Sequence, residues 1–326
     1  MLSFLAMGVG ICVAMRWNGF PLEIQNPTQI ARLRSSFSSA IRGMGPEKAY
    51  SLLREGILQK PYGQQHAIVG LFGEVLYKDL GIEGLIWCDD AYGFGCYHGF
   101  FEKAITRKGI DILYDLDAAC VSKFGLLGLG CPHGIGHGLG EYLGPGNLAQ
   151  QLDYCKGLSW KGALFGCQSG VFMEYNFPSL ALNGTSQIKT RPWDEAHAEA
   201  PCDHVDNQFR RACYFELTAW WQEVLSKNYA KIGVLCGDLT DAGEREACFM
   251  GVGYNVNLVT DFNPQYFIRV CHDMPQDGVV PCRAGASWAF TASIDHKKEA
   301  PILCSGMDTD MNIKCTQKSN LIDYYK

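Results

Sequence analysis

Between residues 240 and 278 the apolar positions recur at helical spacing, stop, and start again. Thr240-Asp241 supplies a helix N-cap, and Cys248, Phe249, Val252 and Val256 then fall at helical intervals, which predicts a helix from Glu244 to Asn257. Asn263-Pro264 opens a second helix, with proline at a first-turn position whose N–H would have no partner anyway. That helix runs through Tyr266, Phe267 and Val270 to Cys271, and Pro275 and Gly278 end it. Short periodic runs at Ala149 to Cys155, Tyr229 to Cys236 and Pro301 to Cys304 also lead into a cysteine. Upstream, residues 46–58 and Gln65 to Tyr77 read as a further helix pair without one. There His66, Gly73, Glu74 and Leu76 match His133, Gly140, Glu141 and Leu143 position for position.

The cysteines set the period. Fourteen of the fifteen form the ordered pairs Cys88/Cys96, Cys120/Cys131, Cys155/Cys167, Cys202/Cys213, Cys236/Cys248, Cys271/Cys282 and Cys304/Cys315. The second member of each pair recurs every 33–36 residues, apart from one step of 46. The longer step holds an insertion over Asn183 to Asp206, which reads as a surface loop. Independent cysteines would not keep both a fixed gap and a fixed period, so the chain is an array of one duplicated unit. No Cys-x-x-Cys metal motif occurs, and paired thiols persist as disulfides in oxidising compartments. Each closed loop of about 12 residues stabilises its unit by roughly 3 kcal/mol in the chain-entropy picture.

The expected fold is all-α: an α-solenoid of seven to eight two-helix repeats of about 35 residues, with each disulfide joining helices across their connecting loop. Residues 1–16 form an apolar signal or anchor segment, 17–60 an N-terminal helical region, and 61–326 the stapled array. The run Leu2 to Met15 is shorter than the roughly 20 residues a bilayer span needs, so it reads as a signal peptide or a membrane-anchor remnant. It lacks the basic leader of a full signal peptide, which reads as a truncated start. Cys12, the odd cysteine, lies within it, and Asn183-Gly184-Thr185 is a glycosylation sequon in a eukaryotic host. The cysteines place the repeats outside the cytosol, secreted, periplasmic or anchored at a membrane.

In period, helix pairing and staple, the chain resembles the cysteine-rich Sel1- and TPR-like secreted repeat proteins. That resemblance implies a helical-repeat fold of the same kind.

Composition narrows the partners. The chain is 47% apolar and 12% aromatic, as an ordered protein is, and its net charge of -6 with no basic cluster argues against a nucleic-acid partner. A nucleotide cofactor is disfavoured too. Gly134, Gly136, Gly138 and Gly140 follow a Gly-x-Gly-x-Gly spacing with no strand before them, unlike a phosphate loop. These glycines serve either tight helix packing or close approach of a backbone or ligand.

Candidate chemistry emerges when the units are aligned on their second cysteine. Two positions later stand His98, His133, Ser169, Phe215, Met250 and Ala284, and six positions later Glu102, His137, Met173, Ala219, Tyr254 and Trp288. Ligand-type residues therefore concentrate in the early units. The dyads His98/Glu102 and His133/His137 have i, i+4 spacing, which places each on one helix face. His66 precedes them by one unit, and Glu141, Glu74 and Glu174 lie on or beside the same stripe. Stacked helices would bring His98, Glu102, His133 and His137 together as metal ligands, with His66, Glu141 and Glu174 as further ligands or supporting groups. Imidazole with carboxylate favours Fe, Zn, Mn or Cu. The pattern resembles the deoxyhypusine hydroxylase type of HEAT-repeat enzyme, in which His-Glu dyads on stacked helices hold two irons. That resemblance implies a metal-dependent oxidative activity.

Two functions of different classes are expected. One is a metal-dependent oxidoreductase or hydrolase. The other is a metal-free scaffold that binds a protein or peptide on a concave face, where the histidines are ordinary packing residues.

Overall fold

The helix pairs foreseen from the apolar spacing are present. The computed structural model describes residues 20–125, 130–177, 191–258, 262–293 and 295–319. The apolar segment 1–16, Cys12 and the sequon at 183–185 lie outside these. The described residues form fifteen α-helices and no strand. In chain order they are α1 (Pro27–Met44), α2 (Pro46–Ile57), α3 (Tyr62–Leu80), α4 (Ala91–Lys108), α5 (Leu113–Phe124), α6 (Gly130–Leu143), α7 (Leu148–Gly157) and α8 (Cys167–Asn176). Then come α9 (Asn207–Val224), α10 (Tyr229–Gly237), α11 (Ala242–Asn255), α12 (Pro264–His272), α13 (Val279–Ala292), α14 (Ala300–Cys304) and α15 (Thr309–Lys318). No described helix is long and apolar enough to cross a membrane.

Helices α3, α4, α6, α8, α9, α11 and α13 form one row, each packed against the one before, with α15 against α13 at the end. All seven cysteine pairs are disulfides: Cys88–Cys96, Cys120–Cys131, Cys155–Cys167, Cys202–Cys213, Cys236–Cys248, Cys271–Cys282 and Cys304–Cys315. In five of them a cysteine from a helix beside the row (α5, α7, α10, α12 or α14) is tied to the next helix of the row or to α15. Cys88 and Cys202 depart from this pattern. The first follows a short 3-10 helix, Gly81–Trp87, and the second sits in a turn. Seven intrachain disulfides point to an oxidising, extracytoplasmic location.

The row is held at backbone contact by the recurring glycine three positions after the second cysteine. A Cβ on Gly99 of α4 would lie 1.9 Å from the Gly70 carbonyl oxygen of α3. One on Gly170 of α8 would lie 2.1 Å from the His133 carbonyl oxygen of α6. Tight helix packing is therefore what these glycines serve. In α9 the same position is Glu216, buried, with both carboxyl oxygens lacking a hydrogen-bond partner.

The row curls back on itself. Tyr62, at the start of α3, packs its ring 5.1 Å from that of Phe262, just ahead of α12. Phe165, in the loop before α8, meets Phe94, His133, Tyr254 and Trp288 of α4, α6, α11 and α13. One loop residue thus joins both halves of the row on its inner side.

Residues 178–190 lie outside the described residues. The rest of the insertion runs over the surface, as expected, with about half of its residues exposed, and it is anchored to α9. The indole N–H of Trp220 donates to the Arg191 carbonyl at 2.7 Å and that of Trp221 to the Ala198 carbonyl at 2.9 Å. Both indoles are buried because the insertion covers the face of α9 that would otherwise meet solvent.

Candidate metal centre

The close packing of the first four row helices assembles the histidines. His98 on α4 and His133 and His137 on α6 are only 8%, 2% and 5% exposed. One ring nitrogen from each lies within 4.8 Å of the others, close enough to hold one metal ion between them. Burial, reinforced by the neighbouring imidazoles, pushes His98 and His133 well below the usual histidine range, so both are neutral at neutral pH.

The hydrogen bonds fix which nitrogen carries the proton. His66 Nδ1 lies 2.8 Å from the Tyr92 carbonyl oxygen. A carbonyl only accepts, so His66 donates from Nδ1 and its Nε2 is bare. His98 Nδ1, 3.3 Å from that nitrogen, must then be the donor, which leaves His98 Nε2 without a proton. That atom is buried and has no hydrogen-bond partner.

His133 follows the same logic. Ser169 Oγ donates to the Gly166 carbonyl oxygen, so it accepts from His133 Nδ1 at 2.8 Å. Glu174 Oε2 accepts from His137 Nδ1 at 3.0 Å. Every Nδ1 is thus occupied by an outer partner, which leaves the three Nε2 atoms as the remaining ring nitrogens. The His133 and His137 pair stands 3.2 Å apart. In a tetrahedral site with bonds of about 2.0–2.1 Å, two ligand nitrogens stand about 3.3 Å apart.

Glycines bring these outer partners into reach. A Cβ on Gly136 would fall 2.0 Å from the Cys167 carbonyl oxygen, and one on Gly140 would fall 2.6 Å from the Glu174 side chain. Either would force α8, with Ser169 and Glu174, away from the α6 histidines. On the inner side, Phe165 stacks on His133 with ring centroids 4.4 Å apart and planes 10° apart.

The carboxylates of the stripe lie further along. Glu102 is buried and held well above the usual carboxylate range, first by burial and then by Glu141, Glu174 and Glu74. Being protonated, it donates a hydrogen bond to Glu141. Glu141 is pushed up to about 7 by burial and by Glu174. Glu74 is held by Arg34 at 2.8 Å. Of the residues expected to converge, the three histidines meet at one point, with Glu174 and His66 directly behind them. Glu102 and Glu141 pair with each other instead. Sequence reasoning passed over Ser169, although it stood two positions after Cys167, where His98 and His133 stand after theirs. It also passed over Tyr92 and Phe165, whose roles come from turn geometry.

No protein-family model matches the chain, and neither a curated protein nor a solved structure matches it.

Proposed function

We propose that the protein is an extracytoplasmic helical-repeat metalloprotein, an α-solenoid of seven to eight stapled two-helix units of the TPR/Sel1-like kind. Its early units bind one transition-metal ion through the Nε2 atoms of His98, His133 and His137. The observation that carries this reading is the uniform anchoring of the rings. Three buried imidazoles, each anchored through Nδ1, bring one ring nitrogen each to within 4.8 Å of the others. Metal-ligating histidines are characteristically supported in this way, with the other ring N–H donated to a carboxylate or another acceptor. Zn(II) fits an all-imidazole set best, and Cu(II) and Fe(II) also accept imidazole.

Three protein ligands leave a fourth position, where a bound zinc ion would lower the pKa of water toward about 7. The reaction class proposed is therefore metal-dependent hydrolysis. Glu174 holds His137, Ser169 holds His133, and His66 holds His98. The Glu102/Glu141 pair shares a proton beside the site and is suited to exchange one with a substrate.

The test is metal content after purification, followed by titration of the stripped protein with Zn²⁺ and with Co²⁺ as a spectroscopic probe. The expected result is one equivalent bound by the native chain and none by the His98→Ala/His133→Ala variant. Binding that survives in the double variant would place the ion elsewhere and remove the proposal.

A further inference from the structure

The first disulfide loop differs from the rest. Cys88 and Cys96 are 8 positions apart, whereas the members of the other six pairs are 11 or 12 apart. Within this short loop three consecutive residues take the left-handed conformation: Tyr92 (φ 55°, ψ 42°), Gly93 (φ 62°, ψ 40°) and Phe94 (φ 66°, ψ 15°). Residues with a Cβ disfavour that region, and such turns persist where the surroundings impose them, commonly at functional sites. The turn has two consequences at the metal centre. It aims the Tyr92 carbonyl at His66 Nδ1, 2.8 Å away. It also carries the Phe94 ring to 5.9 Å from His133 and 5.6 Å from Phe165. Gly93 lies close against the imidazole, since a Cβ there would come 3.4 Å from His66 Nδ1 and 3.2 Å from Tyr62 Oη.

We propose that the Cys88–Cys96 loop and His66 together set the tautomer of His98. The staple imposes the left-handed turn, the turn presents a carbonyl that only accepts, and His66 relays that constraint across α3 to α4. His66 is thus a positioning residue rather than a ligand, and His98 is delivered with its Nε2 lone pair already free. The effect on metal affinity rests on the metal reading given above. The effect on the tautomer does not.

The experiment follows both. Long-range ¹⁵N–¹H correlation spectra of the histidine-labelled, metal-free chain report which ring nitrogen of His98 carries its proton. Zn²⁺ titration reports affinity. In the native chain His98 is expected in the Nδ1–H form alone. His66→Phe removes the acceptor and is expected to mix the tautomers and to weaken Zn²⁺ binding roughly 10–100-fold, the usual range for lost outer partners. His66→Gln, whose amide oxygen can accept from His98 Nδ1, should bring both readouts back to within a few-fold of native. Cys88→Ser/Cys96→Ser should act like His66→Phe, and Cys304→Ser/Cys315→Ser at the far end should not. A single Nδ1–H tautomer retained in His66→Phe overturns the proposal, as does equal weakening by the two cysteine variants. If the native chain takes up no Zn²⁺, the metal reading falls while the tautomer result still decides this one.

Discussion

His133 and His137 turn their Nε2 atoms toward each other at 3.2 Å, with each Nδ1 held by a partner on α8. Both rings are buried where water cannot intervene cheaply. Nothing in α6 requires the arrangement. It follows from Ser169 and Glu174, which pull both Nδ1 atoms toward α8. A cation between the Nε2 atoms would meet two ring nitrogens at the spacing a tetrahedral ion needs.

The outer partners should therefore matter without touching the ion. Ser169→Ala and Glu174→Ala are each expected to weaken Zn²⁺ binding by roughly 10–100-fold while leaving one equivalent bound at saturation. Competition titration against a chromophoric chelator measures this. Saturating Zn²⁺ should also stabilise the native chain, by about 2.7 kcal/mol when its concentration is 100 times the dissociation constant. Unchanged affinity in both variants would mean that Nδ1 anchoring is incidental.

Packing of the row gives a contrast between two glycines. Gly99 meets the backbone of α3, with a would-be Cβ at 1.9 Å from Gly70 O, whereas Gly43 in α1 has nothing within 4 Å. Gly99→Ala should destabilise by about 1–3 kcal/mol, since α3 must be pushed away. Gly43→Ala should stabilise by about 0.4–1 kcal/mol, because alanine restricts the unfolded chain and favours helix. Chemical denaturation of both variants checks the signs. Equal effects would show that the helices are not in backbone contact.

Much of this could be read from the residues in order. The cysteine register alone aligned His98 with His133, and the spacing of four placed His137 beside it. The same register suggested Glu102 as a ligand, and here the same position meets different neighbours. His137 is turned to the centre by Glu174 on α8, whereas Glu102 on α4 finds Glu141 and bonds to that instead. Ser169 was visible on the register but carries no chemistry until its own proton is committed to Gly166 O. Tyr92 acts through its carbonyl, which no side-chain pattern reveals, although the short gap between Cys88 and Cys96 marks that unit as different. Phe165 and the covering of Trp221 depend on contacts between distant parts of the chain, which local periodicity does not contain.

Glu216 gives a pH-dependent prediction. It occupies the glycine slot of α9, its oxygens are unpartnered, and burial holds it well above the usual carboxylate range. In the unfolded chain it ionises near the ordinary glutamate value of 4.5, while the folded chain keeps the proton. Above that pH the folded form binds more protons than the unfolded one, so stability falls as pH rises, by up to about 1.4 kcal/mol per unit. Glu216→Gln keeps the shape and removes the titration. It should raise the melting temperature at pH 7–8 and change it little near pH 4. A gain that is the same at both pH values would show that Glu216 is not buried as a neutral acid.

The staples themselves make the last prediction. Seven disulfides consume fourteen of the fifteen cysteines, so the denatured, unreduced chain should titrate as one free thiol. Removing a staple outside the histidine-bearing helices, as in Cys271→Ala/Cys282→Ala, should cost about 2–5 kcal/mol. It should leave Zn²⁺ stoichiometry at one, because neither cysteine belongs to α4, α6 or α8, which carry the histidines and their outer partners. Combining it with Cys236→Ala/Cys248→Ala should cost more than the two losses added, since each staple fixes the helix against which the next unit packs. Strictly additive losses would mean that the units fold independently, and that the row is held by its bonds rather than by packing between neighbours.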